Sequence, residues 1–349
     1  MLTINGKTTS YIELASSKIN EKYDSDFEKR VIEVIKKWNN GDKEFAFESS
    51  GSTGEKNKIQ LSRDIMEYSA KCTLEKLDPK NNFKSSLIAI NPNYIGGTMA
   101  IIRALIGKHN IEFIEPKSNP LAKTSEQTYD LVSMVPLQIQ SILDADPRLF
   151  EKVKNVIIGG ADLQKKYIDQ IKQIERTDFY HSYGMTETAS HIALKNLKYE
   201  TVFETLGDVV IKSDKNSCLS ISGTITNNIL VKTTDIVEII DESRFKWIGR
   251  ADNVINTGGV KVFPEEVESK LANQIPFPFF VAGLPDERLG ERVVLIIESD
   301  KNQLLDDLNF EEVSKYAIPK STINLSSFVY TETSKINRSL TLKKILGED

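Results

Sequence analysis

With 349 residues, 40% of them hydrophobic and 27% charged, a mean hydropathy of −0.30 and a formal charge of −5, the chain is longer than one core usually grows and predicts two domains. That acidity, with Lys and Arg scattered, excludes a nucleic-acid binder that depends on a strong positive field, while two isolated cysteines and three histidines exclude a zinc spacing or a disulfide framework. No charged-then-apolar leader opens the sequence and no apolar run approaches the roughly 20 residues of a membrane helix, so a reducing, cytoplasmic setting without a membrane span is expected, with a homodimer left open. In chain order, 45–48 reads as a strand, followed by a run of Ser, Gly and Thr over 49–54. Ser62 reads as the N-cap of a helix reaching about Leu77, with Ile65, Met66, Tyr68, Cys72 and Leu77 forming its apolar face. Short apolar runs at 86–91, 111–115, 131–136, 153–159 and 178–183 predict largely buried strands. Most are followed by a turn and helical spacing, the pattern of a doubly wound parallel sheet. A helix packed on most sides is expected over 98–106. From 202 to 248, β segments broken by Gly, Asn and Asp predict a small barrel or sheet subdomain. Beyond Arg250 the expectation is helix 265–273, strands 279–283 and 293–298, helix 310–316 and strand 326–330. The fold class is α/β: a large N-terminal domain over 1–249, mostly parallel sheet flanked by helices with a small β subdomain, and a smaller α+β domain over 250–349.

Several segments carry chemistry. Ser49-Ser50-Gly51-Ser52-Thr53-Gly54 supplies backbone N–H groups and hydroxyls that can wrap phosphate oxygens, with Lys56 and Lys58 following to neutralise charge. It is not the GxxxxGK[ST] loop, because Ser49 and Glu55 stand where Gly and Lys are required. Tyr183-Gly184-Met185-Thr186-Glu187-Thr188 closes a predicted strand and opens a helix-like segment. There Tyr183 offers a flat face to a base and Thr186 a hydroxyl to a phosphate. Glu187 offers a hard oxygen ligand for Mg²⁺, or serves only as a helix-entry charge. Asp235, after the strand-like 229–232, could accept from two ribose hydroxyls, although Asp in a turn is commonplace. Gly249-Arg250-Ala251-Asp252 is short and polar between apolar runs and suits a linker. Thr257-Gly258-Gly259 admits positive φ, and Val260 and Val262 alternate around Lys261 before an acidic helix start. Lys335 sits in an exposed-looking basic loop, where a lone lysine is ordinarily a solvated charge.

Read in order, SSGSTG (49–54), YGMTET (183–188), TTD (233–235), GRADNVINTGGVKVFPEEVE (249–268) and SKINR (334–338) resemble the core motifs of the adenylate-forming acyl-CoA synthetases across most of the chain. The resemblance implies an AMP-forming acid–thiol ligase that joins a small carboxylic acid to CoA at the expense of ATP, with Mg²⁺. It implies that the loop of Ser49, Ser50, Gly51, Ser52, Thr53, Gly54, Lys56 and Lys58 closes on the β- and γ-phosphates. Gly160 and Ala161 would line the adenine pocket, Tyr183 beside Gly184 would stack on adenine, Thr186 would contact the α-phosphate and Glu187 would hold Mg²⁺. Asp235 and Arg250 would hold the ribose, and Asp252 would be the hinge of a mobile C-terminal lid. Lys335 would reach the substrate carboxylate and α-phosphate during adenylation. The turn of Gly258, Gly259 and Lys261 would replace it during thioester formation.

Departures from the motifs concern loop geometry. The expected Gly-x-Pro-Lys is Gly54-Glu55-Lys56-Asn57-Lys58, the expected Thr-Gly-Asp is Thr233-Thr234-Asp235, and Ser334 precedes Lys335 where a glycine is usual. Lys56 or Lys58 could stand in for the displaced lysine. Only about 48 residues precede the phosphate loop. With the segment Asn91 to Gly97 and the stretch Glu187 to Ala193, this makes the chain resemble most the compact 2-succinylbenzoate–CoA ligases of menaquinone synthesis. Tyr94, Ile95, Gly96, Ser190 and His191 would then form the acid pocket. Ser190, His191 and Arg103 are the candidate donors for a distal carboxylate, against readings of Arg103 as a helix surface charge and His191 as a packing residue. Two alternatives stand beside this: a ligase for another acid or for a carrier protein, and a non-catalytic nucleotide-binding relative.

Overall fold

Among the described residues of this computed structural model (1–10, 13, 23–50, 56–124, 128–300, 305–331 and 335–347), a thirteen-stranded mixed sheet organises the larger part of the chain. It opens with β1 (Leu2–Ile4) and β2 (Lys7–Thr9), followed by helix α1 (Asp26–Asn40). Strands β3 (Glu44–Ser50) and β4 (Lys56–Ser62) form a separate hairpin that leads into α2 (Arg63–Leu77). Strand and helix then alternate through β5 (Ser85–Ile88), α3 (Ile95–Ile106), β6 (Asn110–Phe113), β7 (Tyr129–Met134), α4 (Pro136–Ala145), β8 (Val153–Ile158), α5 (Lys165–Ile171) and β9 (Asp178–Met185). Strands β1, β6, β5, β7, β8 and β9 are parallel neighbours in that order. This is the doubly wound pattern that the five apolar runs predict.

The sheet then turns antiparallel through β10 (Ser190–Asn196), β11 (Phe203–Thr205), β12 (Val210–Ser213), β13 (Cys218–Ser222), β14 (Val231–Ile239) and β15 (Arg244–Arg250). The short β segments of 202–248 are therefore not set apart: they hydrogen-bond onto the main sheet through β10 and β11. A second sheet holds β16 (Ile255–Thr257), β17 (Val260–Val262), β18 (Phe279–Asp286), β19 (Gly290–Glu298) and β20 (Ser321–Leu325), with helices α6 (Pro264–Leu271) and α7 (Arg338–Leu346). The change of sheet falls between Arg250 and Ile255.

Local chemistry explains the helix bounds. Ser62 caps α2 by accepting from Ile65 N at 3.3 Å, as its residue type predicts. A capping box of Ser25 and Glu28 starts α1, which buries Phe27, Val31, Ile32, Ile35 and Trp38. α1 and α3 pack on β1, β5 and β6, whereas α4 and α5 cover β7, β8 and β9. α2 and the β3–β4 hairpin bury Phe45, Phe47, Leu61 and Met66 against the antiparallel half. No helix of the described residues is long and apolar enough to cross a membrane.

Three expectations are corrected. The segment 310–316 forms successive turns instead of a helix. Asn309 Oδ1 accepts from Glu311 N, and Gln274 clamps the Asn309 backbone from both sides, so the turn is fixed before a helix can propagate. The last strand lies at Ser321–Leu325, pairing in parallel with β19, and not at 326–330. After Glu187 there is only a 3₁₀ turn, Thr186–Thr188, and the chain returns as strand β10.

Candidate active site

Parallel strands share a direction, so β5, β7, β8 and β9 end at one edge of the sheet, where crevices form in such folds. Tyr94, Ile95 and Gly96 follow β5, Gly160 and Ala161 follow β8, and Tyr183 to Glu187 close β9. Nine of the predicted site residues, Tyr94, Ile95, Gly96, Gly160, Ala161, Tyr183, Gly184, Thr186 and Glu187, thus follow strand ends at one rim. Beside them, the antiparallel turn brings β14 and β15 alongside, with Asp235 opposite Arg250 in register.

The Tyr183 hydroxyl donates to Asp235 Oδ2 at 2.6 Å, and Trp247 Nε1 donates to Asp235 Oδ1 at 3.3 Å. Burial first, and the Asp235 charge second, push the Tyr183 phenol well above its ordinary value, so it remains a donor. Its ring packs edge-on against Phe245, at 5.2 Å between centroids. One strand position further, Arg250 Nη2 donates to Thr234 Oγ1 at 2.7 Å and to Asp252 Oδ2 at 2.9 Å. The segment 233–235 is thereby tied to the predicted hinge residue.

The turn after β9 is built by close approach. A side chain on Gly184 would place its Cβ 2.0 Å from Ser190 O, so only glycine lets the two arms lie together. Ala189 and Ser190 both take positive φ, 47° and 89°. These are strained positions for residues with side chains. Glu187 is exposed on this turn and Thr186 half-buried. No cluster of three or more His, Cys, Asp or Glu exists among the described residues. One exposed carboxylate fits Mg²⁺, which takes one or two carboxylates plus phosphate oxygens and water.

Behind the rim lies a buried cation. Arg103 is 2% exposed, and no hydrogen bond or ion pair links its guanidinium to any described side chain; its Nε is buried and unsatisfied. Burial alone pushes its pKa down to about 10. The surface-charge reading of Arg103 is excluded. His191 is 5% exposed, with Nε2 at 2.9 Å from Thr73 Oγ1. Thr73 spends its single proton on Ser69 O at 3.0 Å, so the imidazole Nε2 must carry the proton that Thr73 accepts. His191 Nδ1 is then a bare acceptor. Burial, and then the Arg103 charge, hold the ring neutral well below the ordinary histidine range. Neutral His191 presents no free donor to a carboxylate, which leaves that role to Arg103 and Ser190.

Other candidates are distributed unevenly. Gly51, Ser52, Thr53 and Gly54 lie outside the described residues, as do the side chains of Ser49, Ser50 and Lys56. Their flanks pair at the hairpin end, Ser50 opposite Lys56 and Glu48 opposite Lys58, with Lys58 exposed. Lys335 is close enough to Arg250 to feel its charge. The surrounding protein first, and that charge second, lower its pKa from the ordinary lysine value, although its side chain retains contact with solvent. Gly258 and Gly259 adopt φ of 56° and 80° at the β16–β17 turn. No hydrogen bond or ion pair among the described residues joins Lys261 to the Tyr183–Asp235–Arg250 group. The sequence does not point to Trp247 or Thr73, and it marks Thr234 only as a departure within the 233–235 motif. Trp247 lies three positions before Arg250, on a strand whose partner was not assigned, and Thr73 lies on the face of α2 read only as apolar.

No protein-family profile matches the chain. A crystal structure of an acyl-CoA synthetase (AMP-forming)/AMP-acid ligase II-like protein from Dyadobacter fermentans is 33% identical, covering 93% of this chain and 95% of that one at a TM-score of 0.61. The 2-succinylbenzoate–CoA ligase of Staphylococcus epidermidis is 26% identical over 335 residues, spanning 86% of this chain and 69% of that protein. An O-succinylbenzoate coenzyme A synthetase from Bacillus subtilis, solved with ATP and magnesium ion, shares the fold at a TM-score of 0.75 and 20% identity, over 85% of this chain and 69% of that one.

Proposed function

The chain belongs to the AMP-forming acyl-CoA synthetase/AMP-acid ligase II-like family, and on that premise we propose that it is an ATP-dependent 2-succinylbenzoate–CoA ligase of menaquinone biosynthesis, working through an acyl-adenylate. One observation carries the reaction class: the Tyr183–Asp235 pair and Arg250 come together at the strand-end rim, with Lys335 of the second unit within electrostatic reach of Arg250. The similarity to 2-succinylbenzoate–CoA ligases, together with buried Arg103, supports the acid. A buried guanidinium with no partner among the described residues asks for an anion, and an aromatic dicarboxylate brings a second carboxylate to meet it.

In this reading the acid's reacting carboxylate attacks the α-phosphorus of ATP, and diphosphate leaves with the bridging oxygen. Lys335 offsets the negative charge that gathers between the two anions. Tyr183 gives adenine a face, Gly160 and Ala161 border it, and Asp235 with Arg250 holds the ribose. Thr186 meets the α-phosphate, and the 49–58 loop with Lys56 or Lys58 covers the β- and γ-phosphates. Glu187 would hold Mg²⁺, which supplies charge neutralisation on the phosphates when bound. In the second half-reaction the CoA sulfur attacks the acyl carbon, AMP departs, and the thiol proton is released. We assign residues 1–249 to the adenylation domain and 250–349 to a lid hinged at Asp252, whose Gly258–Gly259–Lys261 turn serves the thioester step. Two free cysteines, Cys72 and Cys218, suit a reducing cytoplasm.

The test is diphosphate release from ATP with a panel of carboxylic acids, with and without CoA. Release selective for 2-succinylbenzoate, with its CoA thioester formed, is the expected result. Release with a different acid overturns the substrate and retains the mechanism. No release with any acid overturns both.

A further inference from the structure

Glu265 is the second residue of α6, a position that suits an acid. Yet its Oε2 is buried without a hydrogen-bond partner among the described residues. That oxygen occupies the space left by the missing side chain of Gly249: a Cβ there would sit 2.5 Å from it. Gly249 does not take a positive φ, so what the site uses is its small size and not its backbone freedom. Gly249 is anchored in the large sheet, opposite Ile236 of β14. Glu265 belongs to the second unit, so this contact is a seam between the two.

The other carboxylate oxygen leads toward Lys335. Glu265 Oε1 accepts from Asn253 Nδ2 at 2.5 Å and lies 3.7 Å from Arg338 Nη1, which is itself buried and without a hydrogen bond among the described residues. Arg338 Nη2 donates to Glu268 Oε2 at 2.6 Å, and Glu268 Oε1 accepts from Val281 N at 2.8 Å. The guanidinium also lies over the Phe280 ring, 5.5 Å from its centroid. Arg338 begins α7, three residues after Lys335. The Lys335 segment is closed by a bridge between Tyr330 and Ile336 and by a bond from Asn337 N to Val329 O at 2.7 Å. A chain of contacts therefore runs from Gly249 in the large sheet to the base of the loop that carries Lys335.

We propose that Glu265 and Arg338 are positioning residues that latch the 250–349 unit, with the Lys335 segment it carries, against Gly249 in the adenylation orientation, and that this latch opens before thioester formation. The proposal rests on the ligase reading above and adds to it which contacts hold the first state. Glu265 Oε2 and Arg338 Nη1 are each buried without a hydrogen bond among the described residues, and the two side chains meet only through a long Oε1–Nη1 contact, an arrangement that a second orientation of the unit would relieve. Rotation about Asp252 would carry Glu265 off Gly249, because β15 stays with the large sheet. The absence of a side chain at Gly249 matters only while the latch is closed.

The experiment measures the two half-reactions separately for Gly249→Ala, Glu265→Ala and the double variant. A parallel distance measurement uses spin labels at Lys71→Cys and Lys344→Cys in a Cys218→Ser background. Gly249→Ala should slow acyl-adenylate formation by about tenfold or more, and leave CoA attack on supplied adenylate within about twofold. Glu265→Ala should slow adenylation by about threefold, and the double variant should match it, not multiply the two losses. The label distances should shift in Gly249→Ala. Multiplying losses, equal slowing of both half-reactions, or unchanged distances would overturn the latch. Should Gly249→Ala fail to fold, Glu265→Gln carries the test: it keeps the size, removes the charge facing Arg338, and should slow adenylation alone. If distances respond but no acid yields adenylate, the ligase reading fails and the latch stands.

Discussion

At the level of single residues, Arg103 is the side chain held most against its own solvation. Burying a guanidinium without a partner is unfavourable, so the fold retains it at a cost to stability. Arg103→Met should therefore act in opposite directions. It should raise the thermal midpoint by a few degrees, about 1 kcal/mol, and raise the KM for 2-succinylbenzoate by about a hundredfold, with much less effect on a monocarboxylic acid. Calorimetry and steady-state kinetics on one preparation decide it; a lower midpoint with unchanged KM would make Arg103 a structural residue. The sequence named Arg103 but left its burial open, because helical spacing gives a face and not a partner. It also named His191 as a donor. The correction comes from Thr73, 118 positions away, whose one hydroxyl proton decides the tautomer. No local pattern carries that information.

At the level of elements, much was legible where periodicity and punctuation agree. The five apolar runs became parallel strands, and Ser62 became a cap. The turn at 310–316 has no helical outcome because Gln274, 35 positions back, fixes Asn309, and the last strand falls at 321–325 because its parallel pairing with β19 sets the register there. Long-range clamps of this kind leave no local trace. The β3–β4 hairpin sets the lysine question in register terms. Lys56 pairs with Ser50 at the open end, whereas Lys58 pairs with Glu48, two residues or roughly 7 Å further back. Lys56→Ala should raise the KM for ATP by about tenfold and Lys58→Ala by about twofold or less. Equal effects, read in an ATP titration of diphosphate release, would remove the register argument.

For the whole molecule, the sequence predicts two domains and a short polar linker over 249–252, and the main sheet ends at Arg250, five residues before the second sheet begins at Ile255. What it could not show is which lid element faces the rim, since that depends on packing between units. Lys335 near Arg250 makes a pH prediction. Its pKa is lowered, so it loses its proton, and with it the charge that its proposed role in adenylation uses, at a lower pH than an ordinary lysine would. Acyl-adenylate formation should fall on the alkaline side below the ordinary lysine range, and Lys335→Ala should abolish it while CoA attack on supplied adenylate survives. Loss of both half-reactions together would assign Lys335 a structural part.

The bond from Trp247 to Asp235 gives the protein a built-in optical signal. Of the two tryptophans in the chain, Trp38 is 6% exposed in the core, with Arg63 stacked 3.8 Å over its ring, and has no part in the rim. Trp247 alone of the two donates to Asp235, the residue proposed to hold the ribose. A nucleotide that engages Asp235 must renegotiate the indole N–H, changing the emission of one fluorophore against a steady background. Titration with AMP should shift the emission of the native protein and leave Trp247→Phe silent. Occupancy could then be followed in real time without any added dye.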